Sequence, residues 1–301
     1  MSFFGKTNRL VVGLLAGLLL SVVSTPIGYA AEQDIARITL SPTQKRYDLD
    51  AGASTRDYLT VLNDGTNGYD LILYARPYGV NDPTYDPDFS STKSNADAYK
   101  WVQFDQASYY VEAGQSIKIP YTITVPEGAA PGGHYGVLFA ETQEKPPSEG
   151  GAAIARNKRV GALLYANVKG DYIVGGETTK LEIAGLQSVP PMVAKTNTKN
   201  TGNSDFINTV GMKVSDVFGN LKYSAQQEYV VLPGTSRDIT AQWANSPWLG
   251  IYKVEIHSSL LGKDTTKSSY VLMAPAWFYL TLFIILMAGA TYAVVRWRKK
   301  H

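Results

Sequence analysis

Cysteine is absent from all 301 residues. A domain stapled by disulfides is thereby excluded, as are thiolate metal ligands and a cysteine nucleophile. Histidine is scarce, at three residues: His134, His257 and His301. No Gly-x-Ser-x-Gly elbow, His-Glu-x-x-His pair, phosphate-binding loop or dinucleotide glycine fingerprint occurs in the chain. The isolated carboxylates have no visible catalytic partner. An enzyme is therefore not expected, and no cofactor is implied. Charge is missing from one long stretch: no Asp, Glu, Lys or Arg lies between Lys267 and Arg296.

That gap holds the run Pro275 to Val295, followed at once by Arg296-Trp-Arg-Lys-Lys-His301. A helix rises about 1.5 Å per residue and the hydrocarbon core is about 30 Å thick, so about 20 apolar residues cross it. The spacing predicts a transmembrane helix over 273–295 and a cytoplasmic basic tail over 296–301. Trp277, Tyr279, Tyr292 and Trp297 stand at the two ends, where amphipathic rings prefer the headgroup level. Arg296, Arg298, Lys299 and Lys300 hold the tail in the cytoplasm. At the other end, Lys6 and Arg9 precede the apolar stretch Leu10 to Val23, and Gly28, Ala30 and Ala31 follow. This reads as a signal peptide over 1–30, cleaved after Ala30 or Ala31, or as an uncleaved anchor. Either places the intervening segment outside the cytoplasm; with the signal peptide cleaved, the expected product is a single-pass cell-membrane protein with its amino terminus outside and its carboxyl terminus cytoplasmic.

Six of the 28 Lys and Arg residues flank the two apolar ends, which leaves 22 against 26 Asp and Glu. A middle region of formal charge −4 gives no reason to expect nucleic acid as a partner. With 20 Tyr in the chain, and Thr common, the composition favours strands. Alternation appears in Arg56 to Leu62, Tyr69 to Tyr74, Ile117 to Val125 and Val254 to His257, punctuated by Gly, Pro, Asn and Asp. One pattern recurs three times before a strand: Leu49-Asp-Ala-Gly52-Ala-Ser54, Val111-Glu-Ala-Gly114-Gln-Ser116 and Val231-Leu-Pro-Gly234-Thr-Ser236. Gly supplies the positive-φ state at each turn. The expected fold is all-β: two tandem immunoglobulin-like β-sandwiches over 32–142 and 160–272. The Pro, Gly and Ser-rich stretch 143–159 reads as the linker between them. The alternative keeps Val160 to Val168 in the first sheet and makes that stretch a hairpin loop.

Few residues outside the span offer chemistry. Asp82, Asp86 and Asp88 lie in an irregular insertion, Gly79 to Tyr99, and are candidate calcium ligands; the spacing of an EF-hand is missing, and the plain reading is a solvated loop. Leu232-Pro-Gly-Thr-Ser236 is a β-turn sequence rather than a sorting signal. Pro131-Gly-Gly-His-Tyr-Gly136 leads into an apolar strand, and His134 and Tyr135 are candidate ligand contacts; the plain reading is a turn and a core strand. Tyr109 and Tyr110 are adjacent, so in a strand they face opposite ways and one is a candidate exposed platform for a ligand. Trp101, Trp243 and Trp248 are the large anchors of the middle region, more often core than surface.

Several short motifs occur in a definite order. Ile38-Thr-Leu-Ser-Pro42 is followed by Val125-Pro126, Pro131 to Phe139, Arg159-Val-Gly-Ala-Leu-Leu164, Asn200-Thr-Gly202, Leu232-Pro-Gly234 and Gly250-Ile-Tyr-Lys-Val254, then a span and a basic tail. This order resembles the WxL-interacting surface proteins of Gram-positive bacteria. The resemblance implies a first immunoglobulin-like domain associated with peptidoglycan and a second that binds a WxL protein or the host. The expected function is a surface binding protein that contacts cell-wall polymer or another surface protein. The alternatives are a chaperone-like assembly factor that uses an exposed sheet edge and a carbohydrate-binding module.

Overall fold

Alternating burial carries the strands that the sequence pattern announces. In the computed structural model, residues 37–143 and 157–299 are described. The signal-peptide reading of 1–30, together with Lys300 and His301, falls outside them. The first sandwich is built from β1 (Ile38–Ser41), β2 (Gln44–Leu49), β3 (Ser54–Asn63), β4 (Tyr69–Pro77), β5 (Gly79–Asn81), β6 (Asp86–Asp88), β7 (Val102–Phe104), β8 (Ser108–Val111), β9 (Ser116–Thr124), β10 (Gly132–Gln143) and β11 (Arg159–Val168). One sheet runs β1-β3-β9-β7 and the facing sheet β2-β11-β10-β4-β8. Leu59, Val61, Ile119, Tyr121 and Ile123 point every second side chain of β3 and β9 into the core between them. Each such side chain contributes about 1.5–3 kcal/mol relative to exposure.

The second sandwich is built from β12 (Gly176–Glu182), β13 (Leu186–Gln187), β14 (Met192–Asn200), β15 (Phe206–Asp216), β16 (Leu221–Val231), β17 (Ser236–Trp243), β18 (Gly250–Leu260) and β19 (Lys263–Met273). Its sheets run β12-β14-β17 and β13-β19-β18-β15-β16. Met192, Met212, Val214, Val254, Ile256 and Val271 fill the space between them. In both sandwiches a short early strand lies parallel to the last one, β2 beside β11 and β13 beside β19. The fold is thus all-β with two immunoglobulin-like sandwiches, as expected.

The boundary between them is corrected. β11 pairs antiparallel with β10 from Gly132↔Val168 to Glu141↔Arg159, so Val160 to Val168 belongs to the first sandwich. The stretch read as an interdomain linker joins two neighbouring strands of one sheet; residues 144–156 lie outside the described residues. The reason for the error is physical: Pro, Gly and Ser exclude a core equally in a hairpin loop and in a linker. The chain passes between sandwiches after Val168 instead.

The recurring turn behaves as its sequence requires. Gly52, Gly114 and Gly234 have φ of +78°, +73° and +67°. A second device also recurs. Asn63 Nδ2 donates to the carbonyls of Asn67 (2.7 Å) and Val111 (3.1 Å), and its Oδ1 accepts from the Gly65 amide (3.0 Å). Asn200 does the same with Ser204 (2.9 Å), Val231 (2.8 Å) and Gly202 (2.8 Å). Each Asn ties the end of a central strand to the turn that follows and to the strand end opposite.

α1 (Ala276–Arg298) is the one helix among the described residues long and apolar enough to cross a membrane. None of its residues is buried against the protein. Thr281 and Thr291 donate their hydroxyls to the carbonyls of Phe278 (2.8 Å) and Met287 (2.7 Å), which satisfies both groups within the helix. The apolar helix starts at 276 and not at 273. Met273 is the last residue of β19, and both Met273 and Ala274 are fully buried in the second sandwich.

Candidate functional site

β10 is the pivot of the two sandwiches because it is buried on both faces. Leu138 and Ala140 face the first core, while Tyr135, Val137 and Phe139 face outward into a second apolar cluster with Tyr78, Val80, Tyr165 and Leu232. Such double burial explains why Tyr135-Gly-Val-Leu-Phe-Ala140 is a continuous apolar run without alternation. The cover over this outer face comes from the insertion Gly79 to Tyr99. Its Phe89 packs edge-on against Phe139 with ring centroids 5.0 Å apart.

The same insertion reaches the second sandwich. Asp82 Oδ1 accepts from the Ser236 amide at 2.8 Å, and the Asp238 amide donates to the Pro83 carbonyl at 3.2 Å. The Tyr85 hydroxyl accepts from the Leu232 amide and lies 3.0 Å from Thr235 Oγ1. The Arg237 guanidinium stands 4.2 Å from the centre of the Tyr85 ring. A second set of contacts crosses through β10. The Tyr135 hydroxyl donates to Asp205 Oδ1 and accepts from the Asp205 amide, both at 3.0 Å. Arg46 Nη1 reaches Asp205 Oδ2 at 2.7 Å. Burial, then the Asp205 carboxylate, pushes the Tyr135 hydroxyl far up, so it stays protonated and keeps donating.

The structure places each of the candidate residues. Asp82, Asp86 and Asp88 do not converge on an ion: Asp86 accepts from Thr84 Oγ1 (2.7 Å) and Asp88 from the amide and hydroxyl of Ser90 (2.9 and 2.8 Å). Among the described residues no group of three acidic or histidine side chains is placed to hold a metal. The insertion is a strut between sandwiches. His134 and Tyr135 are 7% and 1% exposed, so neither presents a surface to a ligand. Tyr110 is exposed at 55%, and its neighbour Tyr109 packs partly against the first core. Trp101 is core and Trp243 half-buried, but Trp248 is exposed.

The glycines of the distinctive segment are set by the joint. Gly132 has φ of +123°, and a Cβ there would stand 2.6 Å from the Asn203 carbonyl oxygen of the second sandwich. A Cβ on Gly136 would stand 2.8 Å from the Tyr99 backbone nitrogen. Backbone cannot yield as a side chain can. Gly132→Ala is expected to cost about 2–3 kcal/mol, checked by urea unfolding with an unchanged m-value.

His134 has an acceptor at each ring nitrogen, an arrangement that favours its protonated form. Its Nδ1 lies 2.7 Å from Asp97 Oδ1 and its Nε2 2.9 Å from the Ala130 carbonyl oxygen. Both partners accept, so both ring nitrogens of that form donate. Burial works against the charge, but Asp97 and the Ala130 carbonyl outweigh it and raise the His134 pKa above its ordinary value. The folded value therefore exceeds the unfolded one. This contribution to stability is complete below about pH 6.5 and is lost as pH rises through the folded value. The unfolding midpoint is expected to fall across that window, and His134→Gln should flatten the fall; thermal melts at stepped pH check it.

Sequence reasoning missed a groove in the second sandwich. β16 pairs with β15 and β17 with β14, and among the described residues neither has a strand partner on its other edge; side chains bridge the two, the Tyr223 hydroxyl donating to the Gln242 carbonyl (2.9 Å) and Arg237 Nη1 to the Val230 carbonyl. Between these two edges lies a groove of about 600 Å³ lined by Val210, Met212, Tyr223, Ala225, Gln227, Tyr229, Ala241 and Trp243, among others. Tyr223, Ala225, Gln227 and Tyr229 alternate along β16, which puts them on one face. Exposed edges are usually blunted by charge or Pro, yet the middle of this 11-residue edge reads Ser224-Ala-Gln-Gln227 without either. A stacked sugar has little to lie on there. Tyr223 already stacks on Trp243 at 5.6 Å and 12°, and Tyr252 meets the Trp243 ring at 5.8 Å and 90°. A β-strand of 11 residues with a polar, uncharged middle was the available signal.

No family model matches the chain, and no curated relative matches it. Among solved structures, the class 5 fimbriae chaperone CfaA is 13% identical with a TM-score of 0.40, over 78% of this chain and 99% of that one. A chain of the Salmonella enterica SafA pilin–SafB chaperone complex is 13% identical with a TM-score of 0.40, over 79% and 97%. The E. coli chaperone DraB is 11% identical with a TM-score of 0.39, over 78% and 98%. At TM-scores this low, none of these likenesses carries a functional argument.

Proposed function

We propose that the chain is a surface protein tethered by α1, and that its second sandwich binds an extended segment of another surface protein. The segment lies along the groove between β16 and β17 and adds a strand to one of the two open edges. The observation that carries this reading is the pair of edges without a strand partner, among the described residues, facing each other across a groove with Val210 and Met212 at its floor and glutamines along its sides. Main-chain hydrogen bonds along an edge supply affinity, and alternate side chains entering the groove supply selectivity. The order of motifs that resembles the WxL-interacting surface proteins points the same way, since the second domain of that family is the one implied to bind protein. In this reading α1 crosses the cell membrane with the sandwiches outside and Arg296, Arg298, Lys299 and Lys300 inside. The strut and the Asp205 contacts hold the groove at a fixed attitude to the first sandwich. A partner thus meets a preorganised surface and loses less entropy on docking.

The test places a photoreactive amino acid at Gln227 of the full chain in its native membrane. Crosslinking to a defined surface protein supports strand docking. Purified insoluble peptidoglycan serves as the competing ligand in a sedimentation assay. Retention on the polymer, with no protein crosslinked from position 227, would transfer the function to wall binding and refute the groove.

A further inference from the structure

The end of the second sandwich nearest the helix carries an exposed apolar surface that the groove does not use. Register fixes its place. Met273, at the end of β19, lies opposite Gly250, and Tyr252 lies opposite Asp216. The β15–β16 turn, the β17–β18 connection and the exit of the chain toward α1 therefore share one end of the sandwich. At that end Phe218 is 87% exposed, Leu221 62%, Trp248 57%, Val217 53%, Ile251 52% and Leu249 42%. Soluble surfaces carry single apolar residues routinely, but a cluster of six that includes Trp and Phe marks an interaction.

The turn presents its aromatic residue rigidly. Asp216 Oδ1 accepts from the amides of Phe218 and Asn220, both at 2.9 Å, and Asp216 Oδ2 accepts from Asn220 Nδ2 at 3.0 Å. Gly219, at φ +88°, closes the turn. Phe218 stands at the tip of a braced loop rather than on a loose one.

Chain length selects the occupant. Only Ala274 and Pro275 separate the last residue of β19 from the first of α1. Ala274 is itself buried, and its amide donates to the Gln187 carbonyl at 3.0 Å. Two extended residues reach at most about 7 Å, so this end of the sandwich cannot leave the headgroup layer while α1 spans the bilayer. Trp and Phe gain most at that depth. We infer that Val217, Phe218, Leu221, Trp248, Leu249 and Ile251 form a membrane-surface contact that seats the second sandwich on the outer face of the bilayer. The inference rests on the spanning reading of α1 and goes beyond it. The helix alone would leave the ectodomain free to tilt, whereas the contact fixes its attitude and with it the direction in which the groove opens.

Because the chain has no Cys, single nitroxide labels can be placed without background. The full chain is reconstituted in nanodiscs of phosphatidylcholine and phosphatidylglycerol with Phe218→Cys, Trp248→Cys, Gly289→Cys or Gln115→Cys, one at a time. Power saturation then compares access by oxygen and by a water-soluble nickel chelate. Labels at 218 and 248 are expected to show an oxygen-to-nickel ratio several-fold above that at 115, with 289 higher still. Ratios at 218 and 248 equal to that at 115, with 289 still in lipid, would overturn the contact and spare the anchor. Water access at 289 would remove the anchor and the contact together. Protection of 218 from both reagents would assign the surface to a protein neighbour and also overturn the proposal.

Discussion

Asp205→Ala is expected to turn one thermal transition into two. Asp205 holds the Tyr135 hydroxyl and the Arg46 guanidinium at once, and it lies in the second sandwich while both partners lie in the first. Removing it leaves the Tyr135 hydroxyl, on a side chain 1% exposed, without its acceptor. An orphaned buried donor costs about 1–3 kcal/mol. The Arg46 term is smaller, because its side chain is 40% exposed and water screens the lost pair. Together the loss is about 2–3 kcal/mol, or about 5–10 °C for a unit of this size. The cost falls on the joint and not on either core. The wild-type pair of sandwiches is therefore expected to unfold cooperatively in calorimetry, and the variant to show separate transitions for the two. A single transition, lowered uniformly, would mean that the insertion alone couples them. Tyr135→Phe is the milder companion: it removes the same donor, keeps the ring against Tyr165, and should cost about 1 kcal/mol.

How much of this was legible in the sequence follows from where each contact partner lies. Strands β3, β4, β9 and β18 were readable because one face is buried and the period of two is local. The turn glycines at 52, 114 and 234 were readable for the same reason: a positive φ is a demand made within four residues. The span was readable from length and missing charge. The joint was not. Asp82 and Tyr85 find their partners at Ser236 and Leu232, about 150 residues away, and nothing local distinguishes an acidic strut from an acidic metal loop. Tyr135 stood as a candidate ligand contact beside the plain reading of a turn and a core strand, since a buried aromatic and a contacting one look alike in sequence; at 1% exposure it follows the plain reading. The clue lay in the unbroken apolar run that follows it, which requires cover on two faces. Trp248 misled in the opposite direction, being placed with the core because large rings usually are. Recurrence of Asn63-Asp-Gly65 as Asn200-Thr-Gly202 was visible in the chain and shows that both sandwiches close a strand end with the same side chain.

Filling the groove with charge is the second large effect. Ala225 lies exposed near the middle of β16, opposite Met212 of β15. Ala225→Arg puts a guanidinium over the apolar floor and in the path of an added strand. Folding stability should change by no more than about 0.5 kcal/mol, as for other exposed positions. Binding of the partner captured from position 227 should weaken by at least about 2 kcal/mol, close to thirtyfold. Surface plasmon resonance against that partner measures the loss, and the unfolding midpoint of the same preparation confirms the fold. Equal affinity in variant and wild type would place the partner elsewhere on the ectodomain.

The claim on which the rest depends is topological: a β-rich body outside the cell, fastened by its carboxyl end. Because the chain lacks Cys, Gln115→Cys and His301→Cys report the two sides of the membrane directly. With a membrane-impermeant maleimide on intact cells, position 115 is predicted to label fully and position 301 only after the membrane is opened. Labelling of 301 on intact cells, or protection of 115 until lysis, would contradict the account.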